Sequence, residues 1–154
     1  MGNQQERRAV IAGLITGEGG FHLGVENRPR LRIKPIFQMK MADRETMEFV
    51  IDYFQLVGLP VYRLDDGPFV RIRSDGLKRT RRVIEHFLPL LTGTKRQAAS
   101  MVLRFIESRE SKESYSPYSG EEIQMVTELR SINGVRNGKK NKLPNPQRLY
   151  ARRG

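Results

Sequence analysis

The chain contains no cysteine, which excludes disulfide bridges and thiolate metal sites. Its two histidines, His22 and His86, show no metal-ligand spacing, and both read as structural. No apolar run approaches the roughly 20 residues of a membrane span, and no signal-peptide pattern is present. A soluble, intracellular protein with no membrane partner is therefore expected. Acid is scarce as well: 17 Asp and Glu face 28 Lys and Arg, a formal charge of +11. A field of that sign favours polyanions, nucleic acid above all. The alternative is a basic protein without such a partner.

Periodicity organises what is present. At 154 residues the chain is long enough for one domain with a real core. Ala9 to Gly17 is apolar or small all round, which predicts a helix buried on more than one side. From Phe21 to Glu26, and again from Leu31 to Met41, the pattern turns to alternation, with Glu26-Asn27-Arg28-Pro29 as the turn. Leu31, Ile33 and Phe37 share one parity, and Arg30, Arg32, Lys34 and Gln38 the other, which marks a half-buried strand with a basic face. Pro35 cannot donate to a ladder, so an edge or a bulge is expected there. Asp43 caps a helix carrying Met47, Val50, Ile51, Phe54 and Val57, and Gly58 and Pro60 stop it. Strands follow at Val61 to Leu64 and Phe69 to Ser74, where Arg71 and Arg73 alternate with Val70 and Ile72. Helices are expected at 78–91 and 94–110, and Ser119 with Glu122 forms a capping box for another that Asn133-Gly134 closes. Residues 1–132 thus read as a single domain. Residues 133–154 carry Arg136, Lys139, Lys140, Lys142, Arg148, Arg152 and Arg153 without one acid. They are expected to form a basic extension, loosely ordered without DNA; the alternative is a solvated tail without function.

The most informative stretch runs Ile11-Ala12-Gly13-Leu14-Ile15-Thr16-Gly17-Glu18-Gly19. A helix of small and apolar residues ends in one acid set among Gly17, Gly19 and Gly20. Gly13 and Gly17 share a face with Ala12 and Thr16, and small residues at that spacing let two helix backbones approach closely. If the partner is the same helix of a second copy, two Glu18 carboxylates meet at the helix ends. They repel unless a cation lies between them, and the helix C-terminus adds negative potential. Mg²⁺ takes oxygen ligands, and paired sites stabilise both attacking and leaving oxygens in phosphodiester cleavage. The alternative is packing within one chain, with Glu18 merely facing solvent.

Ile11 to Gly19 resembles the LAGLIDADG motif of homing endonucleases. Ala12-Gly13-Leu14-Ile15 match outright, Thr16 and Gly17 are ordinary variants, and Glu18 takes the acid position. Lys95-Arg96-Gln97-Ala98, leading into Val102-Leu103-Arg104-Phe105-Ile106-Glu107, resembles the late helix of single-motif members, and Phe37-Gln38 resembles their second strand. The resemblance implies an α+β fold: the LAGLIDADG homing endonuclease fold, an αββαββα core with a DNA-binding antiparallel sheet, plus C-terminal helices. A single motif implies a homodimer with Ala12, Gly13, Thr16 and Gly17 in its interface. The implied activity is that of an intron-encoded, Mg²⁺-dependent endonuclease acting on double-stranded DNA. It would cleave a long pseudo-palindromic target across the minor groove by direct water attack, leaving 3′ overhangs, and Ca²⁺ or Mn²⁺ would fit the same sites.

By the same resemblance Glu18 and the Gly17 carbonyl ligate the metal, and Glu18 and Lys95 are catalytic. Lys95 would polarise a water or steady the transition state; neutralisation of a helix end or a phosphate contact is its alternative. Met41 stands where relatives often carry a water-organising Gln, and its neighbour Lys40 lies on the opposite parity. Arg30, Arg32, Lys34, Gln38, Arg63, Arg71 and Arg73 are placed toward DNA, joined by Lys139, Lys140 and Lys142 of the tail. Arg takes guanine bidentately and Gln reads adenine; a phosphate contact or plain solvation is the alternative for each Arg. The rival functions are a catalytically silent member acting as an RNA maturase or DNA-binding regulator, and a general basic scaffold. An intact Glu18 together with Lys95 favours the enzyme.

Overall fold

Helix α1 (Gln4–Glu18) starts where the Asn3 side chain accepts the Glu6 N–H at 2.9 Å, and it passes without a loop into strand β1 (Gly19–Glu26). The computed structural model describes residues 3–134, so Lys139, Lys140 and Lys142 lie outside the described residues. Strand β2 (Arg32–Met41) follows, then helix α2 (Arg44–Val57), strands β3 (Tyr62–Asp66) and β4 (Phe69–Asp75), and helix α3 (Leu77–Phe87). A 3₁₀ turn at Leu88–Leu90 leads to helices α4 (Gly93–Glu110) and α5 (Gly120–Ile132). The αββαββα order and the α+β class are those expected from the sequence.

The punctuation residues act through their backbone chemistry. Asp43 accepts the Thr46 N–H at 3.1 Å to open α2. Gly58 closes that helix in the left-handed region at φ 72°, where a side chain would be strained. Ser119 and Glu122 form both halves of the capping box of α5.

The four strands pair antiparallel in the order β1-β2-β4-β3. Helices cover one face only. On that face the odd residues of β1 and β2 (Phe21, Leu23, Ile33, Phe37, Met39) meet Val70 and Ile72 of β4 in the core. Phe37 stacks 6.0 Å from Phe54 of α2, which stacks 5.5 Å from Phe87 of α3. His86 belongs to this framework, as expected: its Nε2 lies 2.6 Å from the Tyr53 hydroxyl. No helix among the described residues is long and apolar enough to cross a membrane.

Two expectations change. Pro35 lies in a central strand, and the β1·β2 register runs unbroken from Gly19↔Met39 to Glu26↔Arg32, so there is no bulge. The β2·β4 pairing begins only at Ile36↔Asp75. The Pro35 carbonyl accepts from the Gly76 N–H at 3.0 Å beyond the end of β4, on the side where the missing proline donor has no ladder to serve. Helix α1 is buried on one side alone. Ile11, Ala12 and Ile15 enter the core, whereas Val10 is 54% exposed and Gly13 and Gly17 are open.

The α4–α5 corner is held by a buried carboxylate. Glu122 is fully buried, with Arg109 Nη1 at 3.1 Å and Lys112 Nζ at 3.0 Å. Burial alone would raise its pKa. The Ser119 backbone N–H, Lys112, Ser108 and Arg109 overcome that and lower it to about 2 from 4.5. A depressed carboxylate contributes stability above its unfolded pKa and loses it as pH falls through the folded value. Glu122→Gln is therefore expected to cost about 2 kcal/mol at pH 7, below the roughly 3–5 kcal/mol of breaking a fully buried pair because Lys112 is partly exposed. That cost should shrink between pH 4.5 and 2, as read by urea denaturation across pH.

Candidate functional site

Two charged residues stand against the dipoles of the helices that carry them. Glu18 is the last residue of α1, where unpaired carbonyls concentrate negative potential. Lys95 lies in the first turn of α4, where unpaired N–H groups concentrate the opposite sign. Each placement is unfavourable by about 0.3–1 kcal/mol. Both side chains line one open cleft of about 360 Å³, with Gly19, Gly20, His22, Gln38, Met39, Lys40, Arg71, Thr94, Ile132 and Asn133. Lys95 Nζ donates to the Gly19 carbonyl and so ties α4 to the α1–β1 junction. Glu18 is exposed, and no described residue forms an ion pair with it.

The cleft opens onto the uncovered face of the sheet, which carries the even residues of β2 and the odd residues of β4. Arg32, Lys34 and Gln38 lie there, with Arg71 opposite Lys40 and Arg73 opposite Gln38. Arg30 is exposed in the turn before β2. The arginines are not bare. Arg71 Nη2 donates to Asp66 at 2.8 Å, and Arg73 Nε donates to Asp75 at 2.6 Å. Asp75 also accepts from the Tyr62 hydroxyl at 2.9 Å. Burial would raise the Asp75 carboxyl, but hydrogen bonds from Arg73 and Tyr62 and the charges of Arg73 and Lys34 hold it below its usual range.

Three expected placements are corrected. Arg63 pairs with Ile72, a core residue, so it points to the helix-bearing face and not toward the open one. There its guanidinium binds Glu48 of α2 at 2.5 Å. Ala12 is only 1% exposed and packs in the chain's own core, which leaves Gly13 and Gly17, with partly buried Thr16, as the accessible part of that stripe. Lys40, not Met41, faces the cleft: it shares the parity of Gln38, while Met41 packs against the core. His22, Thr94 and Asn133 were not singled out from sequence as members of this cleft. Neither isolated polar residue carries a periodic signal, and the histidine gives none without its neighbours.

The donor set for a metal is thin. Among the described residues no three His, Cys, Asp or Glu side chains cluster to hold an ion. One copy of the cleft offers the Glu18 carboxylate, and Gly17 precedes it in the last turn of the same helix.

No family model matches the chain, and no curated protein matches it. Solved structures do. The homing endonuclease I-CvuI in complex with its target in the presence of 2 mM Ca aligns at TM-score 0.68 and 18% identity, over 91% of this chain and 88% of that one. The archaeal intron-encoded homing endonuclease I-Vdi141I complexed with DNA gives TM-score 0.72 and 16% identity, over 96% and 95%. The LAGLIDADG homing endonuclease I-GzeII in complex with its DNA target gives TM-score 0.63 and 22% identity, over 84% of this chain but 44% of that one. The fold is that of the LAGLIDADG homing endonucleases.

The charges around the cleft are open to measurement. Burial, then Lys95, then Arg73 push the His22 imidazole below its ordinary 6.5. An NMR titration should place its midpoint under that value, and Lys95→Met should move it upward while burial keeps it from full recovery.

Proposed function

We propose that the chain is a homodimeric, site-specific double-strand DNA endonuclease of the LAGLIDADG homing type. The observation that carries this reading is the cleft itself, which sets an exposed acid, without an ion-pair partner among the described residues, and a lysine at the edge of a basic sheet face. A concave antiparallel sheet fits the major groove and presents every second side chain to base edges. The DNA complexes of the similar structures lend support.

A second copy supplies what one chain lacks. A Cβ added to Gly13 or Gly17 would meet nothing within 4 Å, so the chain's own packing does not call for glycine at either position. Glycine inside a helix costs about 0.8–1 kcal/mol against alanine, and close approach of another α1 offsets it. That approach brings the two Glu18 carboxylates together. The alignment with less than half of I-GzeII agrees with a working unit of two such folds. Two copies related by a two-fold axis present the same face to both halves of a target, hence a long pseudo-palindrome.

Glu18 and the Gly17 carbonyl, all oxygen donors, suit a hard divalent cation such as Mg²⁺, with Ca²⁺ or Mn²⁺ as stand-ins. When bound, such an ion polarises phosphoryl oxygens and lowers the pKa of an attacking water. Lys95 holds positive charge beside the phosphate as negative charge develops on it. Gln38, Arg71 and Arg73 hold the duplex in register, and cuts across the minor groove leave 3′ overhangs.

A pool of randomised duplexes in Mg²⁺ supplies the substrate for the test. Glu18→Gln should lower the rate of double-strand cleavage at least about 100-fold while the enriched duplex still binds in Ca²⁺. Equal cleavage by the variant contradicts the assignment. Gly13→Leu should shift sedimentation from dimer toward monomer and abolish cleavage with it. Binding should weaken with salt at a log–log slope of about −0.9 per phosphate neutralised, where a flat response removes the sheet as the DNA-binding surface.

A further inference from the structure

Asn133, at the C-terminal end of α5, donates from Nδ2 to the Phe21 carbonyl at 3.1 Å, and the same nitrogen lies 3.4 Å from His22 Nδ1. The carbonyl only accepts, which settles the orientation of the amide, and an amide nitrogen only donates. His22 Nδ1 is therefore the accepting nitrogen, and the neutral ring carries its proton on Nε2. That Nε2 lies over Gly20, where an added Cβ would come within 2.5 Å of it. Gly20 sits within the regular ladder of β1, opposite Gln38, so the space above it is reserved by the imidazole and not by the turn of the backbone. The ring is laid along the strand toward the α1–β1 junction, and His22 lines the same cleft as Glu18 and Lys95. Its lowered basicity keeps it uncharged at neutral pH beside Lys95 and Arg73.

We propose that His22 contacts the substrate, its Nε2–H donating to a phosphate oxygen of the DNA strand held in the cleft. This rests on the endonuclease reading and adds a residue to the site. A neutral N–H supplies a directed donor where a further cation would be opposed by Lys95 and Arg73. Asn133 acts through His22 as a positioning residue, because it selects the tautomer that presents the proton to the cleft.

The test is single-turnover cleavage of the enriched duplex in Mg²⁺, with binding in Ca²⁺ and Tm measured alongside, for wild type, Glu18→Gln, His22→Leu, His22→Gln and Gly20→Ala. Leucine fills the space without a donor, and glutamine returns an N–H near the place of Nε2. His22→Leu should slow cleavage at least about 10-fold, short of the roughly 100- to 1,000-fold lost with a full oxyanion donor, with binding and Tm near wild type. His22→Gln should recover most of the rate, and Gly20→Ala should slow cleavage by displacing the ring. Equal rates for the leucine and glutamine variants overturn the assignment, whether both are fast or both are slow. If wild type cleaves no duplex, the endonuclease reading itself falls, and if Glu18→Gln cleaves as fast as wild type, the assignment of the site to this cleft falls with the role of His22 in it.

Discussion

The cleft depends on a helix and a strand joined without a loop. Gly19 is extended at φ −89° and ψ 175°, and its N–H closes α1 on the Ile15 carbonyl while its own carbonyl accepts Lys95 Nζ. A Cβ at Gly19 would lie 3.0 Å from both the side chain and the carbonyl oxygen of Ile15, so a larger residue would crowd the junction. The same junction sets Glu18 at the rim and starts the β1 ladder at Gly19↔Met39. Acid, lysine and sheet face therefore form one continuous surface, and two charges that each oppose a helix dipole are brought to the same place.

The open face of the sheet is basic but not a uniform positive field. Asp66 and Asp75 hold Arg71 and Arg73 within their own hairpin. These pairs are partly covered, and they orient each guanidinium on the face. Arg73 is held through Nε by Asp75 on the open face of the sheet, in the same hairpin as Tyr62.

Much of this was legible in the chain because local rules and the global fold agree. The Asp43 cap, the Gly58 stop and the Ser119–Glu122 box are each decided by a few neighbouring atoms, and the basic parity of β2 follows from the pleat. The acid and lysine of the cleft came from resemblance to a family, since nothing local brings residues 18 and 95 together. The misplacement of Arg63 has a plain cause. All five residues of β3 are exposed, so no hydrophobic alternation marks which way each side chain points. Lys40 lies on the parity opposite to Met41, and it is Met41 that turns to the core. Ala12 shares the small-residue spacing with Gly13, but the helix turns it inward. His22 gains its meaning only from Asn133, which lies far off in sequence and beside it in the fold.

The central claim is that a second α1 completes the site. The absence of native cysteine makes it directly measurable, because Gly13→Cys places the only thiol on the open side of α1. Mild oxidation in the presence of the enriched duplex should trap a covalent dimer through residue 13, while a cysteine at Leu56, which is 56% exposed on α2, should trap none. A chain that stays monomeric under oxidation and still cleaves both strands would contradict the account.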